Sequence, residues 1–538
     1  MRRWNGWGDD QIHVPLAEAA LARLAAELGP PIPAADATLE SVLAAAPAPR
    51  LADHPLLTTD PEDRLRHSCG QGLPDWIAFR FGRIPAFFDA VAYPTDHADL
   101  DRLYALAVDR GSDLVPFGGG TSVLGQINPR PEAASTIAVD LRHLCGLYTL
   151  DRDSGLASFG AGSVGPDIEQ ALAAEGFTLG HYPQSFEYAT LGGWIATHSS
   201  GQQSLGYGRI EDLFAGGRIW TPLGGWDLPA IPASAAGPDL RQLVLGSEGR
   251  LGILTEATVR VRPRPQRETF RAAVVPDWDT GLQALRRISS QPGALSMLRL
   301  LDPLETSLTF LLSGHNRLAA WAERALGLLA GEQQRCLLIY GLTGEQPAVS
   351  AGGRRVVRLV RRHGGWPLGP WIGEQWRRAR FRTPYLRNSL WQAGYAIETF
   401  ESSFTWAQLG SASQALLSAL DSALAPWGDG SLSFGHVSHT YPDGACLYVT
   451  TVLRHHADPD QTLSAWRALK AASLTAIQQH SGTVSDHHGV GIDHRQHLAP
   501  EKGRVGLRLL AAVQRQLDPA GVLNPGKLLP DDKENAAP

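Results

Sequence analysis

The chain has 538 residues, which is too long for one hydrophobic core, so we expect two or three domains. Its 43% hydrophobic and 19% charged residues describe an ordinary soluble globular protein. A formal net charge of −6 argues against a general nucleic-acid binder.

The cysteine pattern indicates a reducing compartment, and the first residues of the chain are consistent with it. The four cysteines are scattered without a C-x-x-C pair, which also argues against a thiolate metal site. The first residues lack the apolar run of a signal peptide, and no window approaches the roughly 18 apolar residues of a membrane span. We therefore expect a cytoplasmic protein with a polar, disordered tail at residues 531–538.

Residues 1–82 form the first predicted unit, an N-terminal helical and extended segment. Apolar residues recur every four positions over residues 15–28, which predicts an amphipathic helix, and a Pro/Ala-rich linker follows it. A second unit begins near residue 83. There, Asp96 is placed to cap a helix that runs to Asp109.

A glycine-rich loop follows the next short strand, Leu114–Phe117. The loop contains three glycines and then two hydroxyl residues: Gly118, Gly119, Gly120, Thr121 and Ser122. Glycine reaches positive φ without steric cost, so several backbone N–H groups can converge on one anion, usually a diphosphate. The spacing does not match the G-x-G-x-x-G pattern that opens a helix in Rossmann folds.

Two more glycine and hydroxyl loops are predicted at residues 192–201 and 246–255. Between the first and second loops, a strand over 156–162 leads into a helix over 164–175 that ends at Gly176. Three such loops within 150 residues suit one long ligand with a central diphosphate. The succession of strand, glycine-rich turn and helix indicates an α+β nucleotide-binding domain.

The second half of the chain alternates strands and helices. Strands are predicted at 269–275 and 336–340, and a pair of strands at 431–452 around a Tyr441–Gly444 turn. A helix over 461–481 then ends at Gly482.

Residues 354–387 form a basic segment with ten arginines and one acid, Glu374, interleaved with aromatic residues. Two interpretations stay open. The segment is either a solvated helix face, or a lid or surface that meets phosphate or acyl headgroups.

These segments, in this order, resemble the vanillyl-alcohol-oxidase/PCMH flavoprotein superfamily over roughly residues 83–530. Within it the chain is most similar to the alkyl-dihydroxyacetonephosphate synthase family. The motifs that carry this resemblance are residues 3–8 (RWNGWG), 180–187 (GHYPQSFE), 385–387 (YLR), 440–448 (TYPDGACLY) and 487–491 (HHGVG).

The resemblance implies an α+β fold. A two-subdomain PCMH-type FAD-binding domain would occupy residues 83–265, and a cap or substrate domain built on an antiparallel sheet with flanking helices would occupy 266–485. A C-terminal segment, 486–530, would return to the FAD domain. The resemblance also implies non-covalent FAD, held by Pro116, Phe117, Gly118, Gly119, Gly120, Thr121, Ser122, Gln184, Ser185, Tyr188, Thr190, Gly192, Gly193, Thr197, Ser199, Glu248, Gly249, Gly252 and Ile253.

The implied reaction exchanges the acyl chain of acyl-dihydroxyacetone phosphate for a fatty alcohol through an adduct on flavin N5. By matched position, Tyr448 would transfer the proton, and Arg387 would bind the anion. His487 and His488 would adjust the protonation of Tyr448. A tyrosine with an ordinary pKa of about 10 is a poor base at neutral pH, so neighbouring cations would have to lower that pKa. His181 is the nearest candidate for a covalent flavin link and is included among the catalytic candidates.

Two other functions stay open. Where the synthase motif carries three histidines, this chain has Asp486 first, and it carries His436 where related D-2-hydroxy-acid dehydrogenases have a metal-binding histidine. The first alternative is therefore an FAD-dependent dehydrogenase of a D-2-hydroxy acid, and the second is a non-catalytic flavin-binding subunit. No metal is expected, the alternative being a divalent ion held by His436 and His488.

The expected partner is a small-molecule or lipid substrate and not a nucleic acid. Peripheral membrane contact through residues 354–387 and a homodimer both stay open.

Overall fold

A computed structural model describes residues 1–32, 36–291, 293–313, 334–427 and 430–530. The tail predicted to be disordered, residues 531–538, lies outside them. Within the described ranges, no helix combines the length and the apolar character needed to span a bilayer.

A four-stranded sheet carries the glycine-rich loop. Its strands, in spatial order, are Leu57–Thr58, Ala90–Ala92, Ser135–Asp140 and Ser112–Phe117. The last three run parallel, and every residue of Ser135–Asp140 is buried, as expected for a parallel strand covered on both faces. The glycine-rich loop leaves the carboxyl end of the edge strand Ser112–Phe117, where its backbone is free to meet a ligand.

A five-stranded antiparallel sheet completes the first half. Its strands, in spatial order, are Leu147–Asp151, Leu156–Gly160, Ile253–Arg260, Phe214–Thr221 and Gly224–Leu228. Ile168 and Leu172 of the helix Gly165–Ala174 pack in one core with Phe159 of this sheet. A two-stranded pair, Phe177–Thr178 with Arg262–Pro263, lies beside it.

The second half is built on a seven-stranded antiparallel sheet. Its strands, in spatial order, are Trp366–Gly369, Arg267–Val275, Cys336–Gly344, Leu295–Leu301, Ser431–Thr440, Gly444–Arg454 and Tyr395–Thr405. Tyr448 lies opposite His436 on one neighbouring strand and opposite Glu401 on the other. Because directly opposed residues share a face, the register alone brings these three side chains together.

The helices are Glu18–Leu28, Leu39–Ala44, Pro61–His67, Leu73–Phe81, His97–Arg110, Gly165–Ala174, Leu191–Ala196, Ser204–Tyr207, Ile210–Leu213, Arg241–Val244, Trp278–Ser289, Pro303–Ser313, Gln346–Arg362, Trp371–Ala379, Leu386–Gln392, Leu409–Ala423, Pro459–Gln479 and Ala499–Leu517.

The predicted α+β fold is confirmed, together with most of the elements predicted from periodicity. Asp96 caps the helix His97–Arg110, with Oδ1 accepting from the backbone N–H of Asp99 at 2.9 Å. The predicted 192–201 loop is wrong in its first half, because Thr190 caps a short helix, Leu191–Ala196, that begins one residue before the loop and includes its first five residues. The strands Leu295–Leu301 and Tyr395–Thr405 were not predicted.

The N-terminal motif docks on the second half of the chain. The side chain of Asn388 accepts from the backbone N–H of Trp7 at 3.1 Å and donates to the carbonyl oxygen of Trp7 at 3.0 Å. A Cβ on Gly6 would collide with the Asn388 side chain, and one on Gly8 would collide with Tyr385. The glycines of this motif therefore allow the backbone to lie directly against residues 385–388.

The C-terminal segment returns to the four-stranded sheet. The backbone N–H of Leu114 donates to the carbonyl of Val522 at 2.7 Å, and the N–H of Asn524 donates to the carbonyl of Leu114 at 2.8 Å. The Asn524 side chain also donates to the carbonyl of Glu248 at 2.7 Å. The end of the chain thus fastens the strand that precedes the glycine-rich loop.

Replacing Asn388 by alanine should destabilise the fold by about 2–4 kcal/mol, because two buried backbone groups of Trp7 lose their partner. Urea unfolding followed by tryptophan fluorescence measures this loss. Asn5→Ala is the matched control, since the Asn5 side chain makes an exposed contact with Asp36. Equal unfolding midpoints for the two variants would contradict the docking role of Asn388.

Candidate active site

One cavity of about 490 Å³ extends from the glycine-rich loop to the face of the seven-stranded sheet. Backbone-rich turns of the first half line one end. Side chains of the sheet, the histidine run and Arg387 line the other. A ligand in this cavity therefore contacts both halves of the chain.

The glycine-rich loop is a close-packed cradle. A Cβ on Gly118 would strike the hydroxyl of Thr190, and one on Gly119 would strike the carbonyl oxygen of Tyr188. Gly120 has a φ of +62°, a conformation that favours glycine. The loop is thus held against residues 188–190 with its bare backbone toward the cavity, which fits the diphosphate of FAD.

Glu248 ties the cradle to the histidine run. Its φ is +53°, and its carboxylate accepts from the backbone N–H groups of Val490 at 2.6 Å and Gly491 at 2.9 Å. Burial raises the pKa of Glu248 to about 7. The side chain of Gln126 donates to the carbonyl of His488 at 2.7 Å, a second link that the sequence did not indicate.

Most predicted cofactor residues line the cavity, and two do not. The lining includes Pro116, Phe117, Gly118, Gly119, Gly120, Thr121, Ser122, Gln184, Ser185, Thr190, Gly192, Gly193, Thr197, Ser199, Glu248, Gly249 and Gly252. Tyr188 instead directs its hydroxyl to that of Tyr385 at 2.9 Å, and Ile253 packs in the core beneath the four-stranded sheet. Of these two, Tyr188 still contributes the carbonyl that shapes the cradle.

The sheet floor changes from polar to apolar in three rows of opposed side chains. The first row is Glu401, Tyr448 and His436; the second is Thr399, Thr450 and Phe434; the third is Ile397, Val452 and Leu432. Alternate residues along a strand share a face, and two residues span roughly 7 Å. The polar and apolar ends of the floor are therefore about 14 Å apart.

The apolar row continues into an apolar arm of the cavity. Leu24 of the helix Glu18–Leu28 lines the arm together with Leu308 and Leu390. Leu24, Leu390, Leu432 and Val452 belong to one hydrophobic cluster, with Leu308 and Ile397 packed against it. This arm suits a hydrocarbon chain.

Tyr448 stands among three histidines at the polar end. Its ring stacks on that of His436 at 5.1 Å and on that of His487 at 6.0 Å, and it meets the edge of His488 at 5.7 Å. The sequence analysis expected neighbouring cations to lower the pKa of Tyr448. The surrounding protein groups do not lower it, so that expectation is wrong. Burial raises the pKa of Tyr448 to about 12, and the opposing influence of Arg387 does not offset it. The protein therefore keeps Tyr448 a proton donor at neutral pH.

His487 and His488 are adjacent, but their pKa values are shifted in opposite directions. Burial lowers the pKa of His487, yet the carboxylates of Glu401 and Asp486 override it and hold that pKa above its usual value. Burial and the neighbouring His487 hold the pKa of His488 well below its usual value. One imidazole is thus favoured as a cation and the other as a neutral base, a division typical of acid and base pairs.

Glu401, beneath the histidine run, was missed by the sequence analysis. Its carboxylate accepts from the backbone N–H groups of Asp486 at 2.5 Å, His487 at 3.2 Å and His488 at 3.0 Å, and from the Ser485 hydroxyl at 2.6 Å. The only signal was a pair of acids, Glu398 and Glu401, among the aromatic and aliphatic residues of the stretch YAIETFESSF.

Asp486, which replaces the first histidine of the family's run, belongs to a buried ionic network. It lies 2.9 Å from Nδ1 of His487 and accepts from Arg209 at 3.1 Å and from the hydroxyl of Tyr441 at 2.7 Å. Burial opposes its ionisation, but His487 and Arg209 hold the pKa of Asp486 well below its usual value. Asp486 therefore acts as a fixed anion behind His487.

Arg387 lines the cavity close to Tyr448. Its guanidinium donates to the carbonyl of Gln71 at 2.7 Å and lies 4.6 Å from the centre of the Trp76 ring. The neighbouring residues Tyr385 and Asn388 hold the N-terminal motif. Arg387 therefore lines the cavity, whereas Arg380 of the same basic segment is buried and donates to the side chain of Gln203 at 2.8 Å.

His436, the alternative metal ligand, is already engaged. Its Nδ1 lies 2.8 Å from Glu305 and 3.1 Å from Arg299. Burial opposes the ionisation of Glu305, but His436 and Arg299 lower the pKa of Glu305 to about 2.

A second group with metal-ligand chemistry lies near the histidine run. Among the described residues, Glu401, Cys446, Asp486 and His487 place one ligand atom each within 4.8 Å of one another. The two carboxylates are already occupied by the hydrogen bonds given above, and burial holds the pKa of the Cys446 thiol well above its usual value. These groups fit a hydrogen-bonded core better than a metal site.

His181 does not join the other catalytic candidates. It is fully buried, its Nε2 lies 2.8 Å from the Ser199 hydroxyl, and its ring packs on Trp194 at 4.8 Å. Burial lowers its pKa to about 3. His181 lies outside the cavity lining, so it supports the loop from behind.

Gly119→Ala should remove most of the bound flavin, because the added methyl group must displace the Tyr188 carbonyl or the loop. The ratio of flavin absorbance to protein absorbance after gel filtration measures the loss. Gly410→Ala is the control, since a Cβ at Gly410 meets only one side-chain atom, at 3.8 Å. A Gly119→Ala protein with full flavin content would show that the loop is not the cofactor cradle.

Glu401→Gln should lower the pKa of His487, because Glu401 is the strongest of the charges that raise it. A raised folded-state pKa stabilises the protein fully below the unfolded pKa, and this stabilisation is lost as pH rises through the folded value. NMR titration of the His487 ring protons measures the shift. Glu169→Gln is the matched control, since Glu169 also accepts two backbone N–H groups, those of Leu179 and Gly180. An unchanged His487 titration in Glu401→Gln would contradict the role of Glu401.

Comparison with protein-family models gives two matches that together span most of the chain. A model described as "FAD binding domain" matches residues 88–226, and one described as "FAD linked oxidases, C-terminal domain" matches residues 264–528. The first match supports FAD as the cofactor of the cradle.

Similar proteins extend these matches. An alkyldihydroxyacetonephosphate synthase from Dictyostelium discoideum is 31% identical over 490 residues, covering 89% of this chain and 79% of that protein. A solved structure of an alkyldihydroxyacetonephosphate synthase has a TM-score of 0.80 at 27% identity, covering 97% of this chain and 98% of that one. A mitochondrial D-lactate dehydrogenase (cytochrome) from Arabidopsis thaliana is 24% identical, covering 88% of this chain and 78% of that protein. The chain therefore belongs to the FAD-linked oxidase family of PCMH-type FAD-binding flavoproteins.

Proposed function

We propose that the chain exchanges the acyl chain of acyl-dihydroxyacetone phosphate for a fatty alcohol, the reaction implied by its resemblance to the alkyldihydroxyacetonephosphate synthases. The observation that carries this proposal is the polarity of the cavity. It joins a cationic and proton-transferring end to an apolar arm on a single sheet face. A substrate with a phosphate head and a hydrocarbon tail has the same arrangement.

The apolar arm is the feature that favours a lipid substrate. Its third row and the leucines of three helices offer hydrocarbon surface, and Arg23 beside them is already paired with Glu27, so a fatty chain would bury its apolar area there without leaving a polar group unpaired. A short hydroxy acid would leave this arm without a function.

The polar end supplies the groups that the exchange needs. Arg387 binds the phosphate or the departing carboxylate, because a guanidinium pairs with either through two parallel N–H donors. Cationic His487 adds a second positive charge, and neutral His488 accepts a proton. Tyr448, protonated at neutral pH, donates its hydroxyl proton to the leaving oxygen and recovers it through the histidines.

FAD, when bound, supplies the electron-rich ring atom through which the acyl group is exchanged. We propose that it is held non-covalently, by the glycine cradle and Glu248, which is supported by the position of His181 outside the cavity lining.

A dehydrogenase of a D-2-hydroxy acid is the second candidate, favoured by His436 in the cavity wall and by the D-lactate dehydrogenase relative. Arg387 would then bind the substrate carboxylate. The apolar arm weighs against it, because a short hydroxy acid would not fill that arm.

Two assays separate these candidates. Incubation with acyl-dihydroxyacetone phosphate and a labelled long-chain alcohol should yield the labelled ether and free fatty acid. Addition of D-lactate or a longer D-2-hydroxy acid should leave the flavin spectrum oxidised. Rapid bleaching by a D-2-hydroxy acid without ether formation would establish the dehydrogenase instead.

Tyr448→Phe should reduce ether formation by roughly 10²–10⁴-fold, the usual contribution of a positioned acid or base, while flavin content stays unchanged. Steady-state rates of ether formation measure the effect. Tyr207→Phe is the matched control, because Tyr207 is also buried but lies outside the cavity lining. Equal rates in the two variants would exclude Tyr448 from proton transfer.

A further inference from the structure

His436 and Glu305 form a carboxylate–imidazole pair in the wall of the active-site cavity. Both residues belong to the cavity lining, His436 on the strand Ser431–Thr440 and Glu305 on the helix Pro303–Ser313. Nδ1 of His436 lies 2.8 Å from Oε2 of Glu305, and the guanidinium of Arg299 donates to Oε1 of Glu305 at 3.1 Å. The carboxylate is therefore held between an imidazole and a fixed cation.

The two neighbours of Nδ1 decide which nitrogen of the His436 ring carries the hydrogen. Nδ1 also lies 3.1 Å from Arg299, which can only donate, so it faces an acceptor and a donor at once. The carboxylate of Glu305 is nearer and stays ionised, because its pKa is about 2. Arg299 has Glu305 as an acceptor of its own. Nδ1 therefore carries the hydrogen and donates it to Glu305, which leaves Nε2 with a free lone pair.

Nε2 of His436 is the unused atom of the pair. No hydrogen bond reaches it from any residue that the structure describes, and His436 itself lines the cavity. Burial, and then Arg299, lowers the pKa of His436, so the ring is neutral at neutral pH. The charged and titratable groups around His436 are Arg299, Asp302, Glu305, Tyr448 and His487. A neutral imidazole oriented by a carboxylate is the arrangement that takes a proton from a hydroxyl in the Ser-His-Asp triad.

The pair stands where the apolar arm meets the polar end of the cavity. On the strand, Leu432 and His436 share the face that lines the cavity, with Phe434 between them. On the helix, Leu308 lies one turn beyond Glu305 and so on the same side. Each element thus carries part of the apolar wall and, next to it, one member of the pair. A fatty alcohol whose chain fills the arm presents its hydroxyl group to Nε2.

We propose that His436, oriented by Glu305, takes the proton of the incoming fatty alcohol. The assignment rests on the proposed function and adds the residues of its second half. The alcohol oxygen forms the ether C–O bond, its O–H bond breaks, and the proton passes to Nε2. The group that held the carbon after the fatty acid left departs with the electron pair of its bond. The proton taken up here balances the one that Tyr448 gives to the leaving oxygen, so no further reactant is needed.

The two nucleophiles of the exchange differ in their need for this base. An alcohol must lose its proton as it attacks, whereas a fatty acid is already ionised at neutral pH, because carboxyl groups have pKa values of about 4. The return of a labelled fatty acid into acyl-dihydroxyacetone phosphate therefore needs only the groups of the first half. Fatty-acid exchange reports the first half alone, and ether formation reports both halves.

His436→Asn in the full-length holoprotein tests the proposal. Ether formation from hexadecanol should fall by roughly 10²–10⁴-fold, the usual contribution of a positioned base, while flavin content and the exchange of labelled palmitate stay unchanged. His455→Asn is the matched control and should keep both activities, because His455 is also buried but lies outside the cavity lining.

Three results would contradict the role of His436. Unchanged ether formation in His436→Asn would exclude it as the base. An equal loss of ether formation and palmitate exchange would show that it serves the whole site and not the alcohol. If the unmodified protein forms no ether and exchanges no palmitate, the proposed function is wrong and the assignment of His436 falls with it.

Glu305→Gln tests the positioning role of Glu305. Burial and Arg299 lower the pKa of His436, and Glu305 opposes them. Removing the charge of Glu305 should therefore lower this pKa, so the acid limb of the pH–rate profile for ether formation should move to lower pH. Glu374→Gln is the matched control, since Glu374 also pairs with an arginine but lies outside the cavity lining. An acid limb that stays in place in Glu305→Gln would overturn the positioning role.

Discussion

The structure of the active site depends on one buried carboxylate, that of Glu401. It gathers three successive backbone N–H groups of residues 486–488 and so determines where both histidine rings stand. Its charge also favours the cationic form of His487. A buried carboxylate is costly without such donors, and with them it serves as a rigid anchor. Strand pairing places Glu401 directly opposite Tyr448. The histidines that Glu401 holds therefore lie against the ring of Tyr448.

The two halves of the chain are connected at the same place. Glu248 from the first half accepts from the turn at residues 490–491, and Gln126 donates to the carbonyl of His488. Asn524, near the end of the chain, bonds both the glycine-loop strand and Glu248. The cradle and the histidine run are therefore one hydrogen-bonded unit. A cofactor held by the first is held in fixed relation to the second, which is the positioning that catalysis requires.

The sequence predicted the parts of the site that are local in the chain. The glycine loop, the cap at Asp96 and the strand pair around the Tyr441–Gly444 turn depend on neighbouring residues, and periodicity and residue type were enough. Glu401 was missed because its role depends on cross-strand register and on a loop 85 residues away. His181 was misplaced for the opposite reason. It is adjacent in sequence to cofactor residues, but its ring is turned into the core. The raised pKa of Tyr448 could not be predicted, because it depends on how far burial outweighs the opposing effect of the positive charge on Arg387.

In the function we propose, a flavin lies between the glycine cradle and the face carrying Tyr448 and His487. A crystal structure of the FAD-bound protein would show whether it does. We predict the diphosphate on the backbone N–H groups of residues 118–122, with the edge of the isoalloxazine ring against Tyr448 and His487. A flavin whose diphosphate binds elsewhere, or whose ring is separated from Tyr448 by other side chains, would contradict this account.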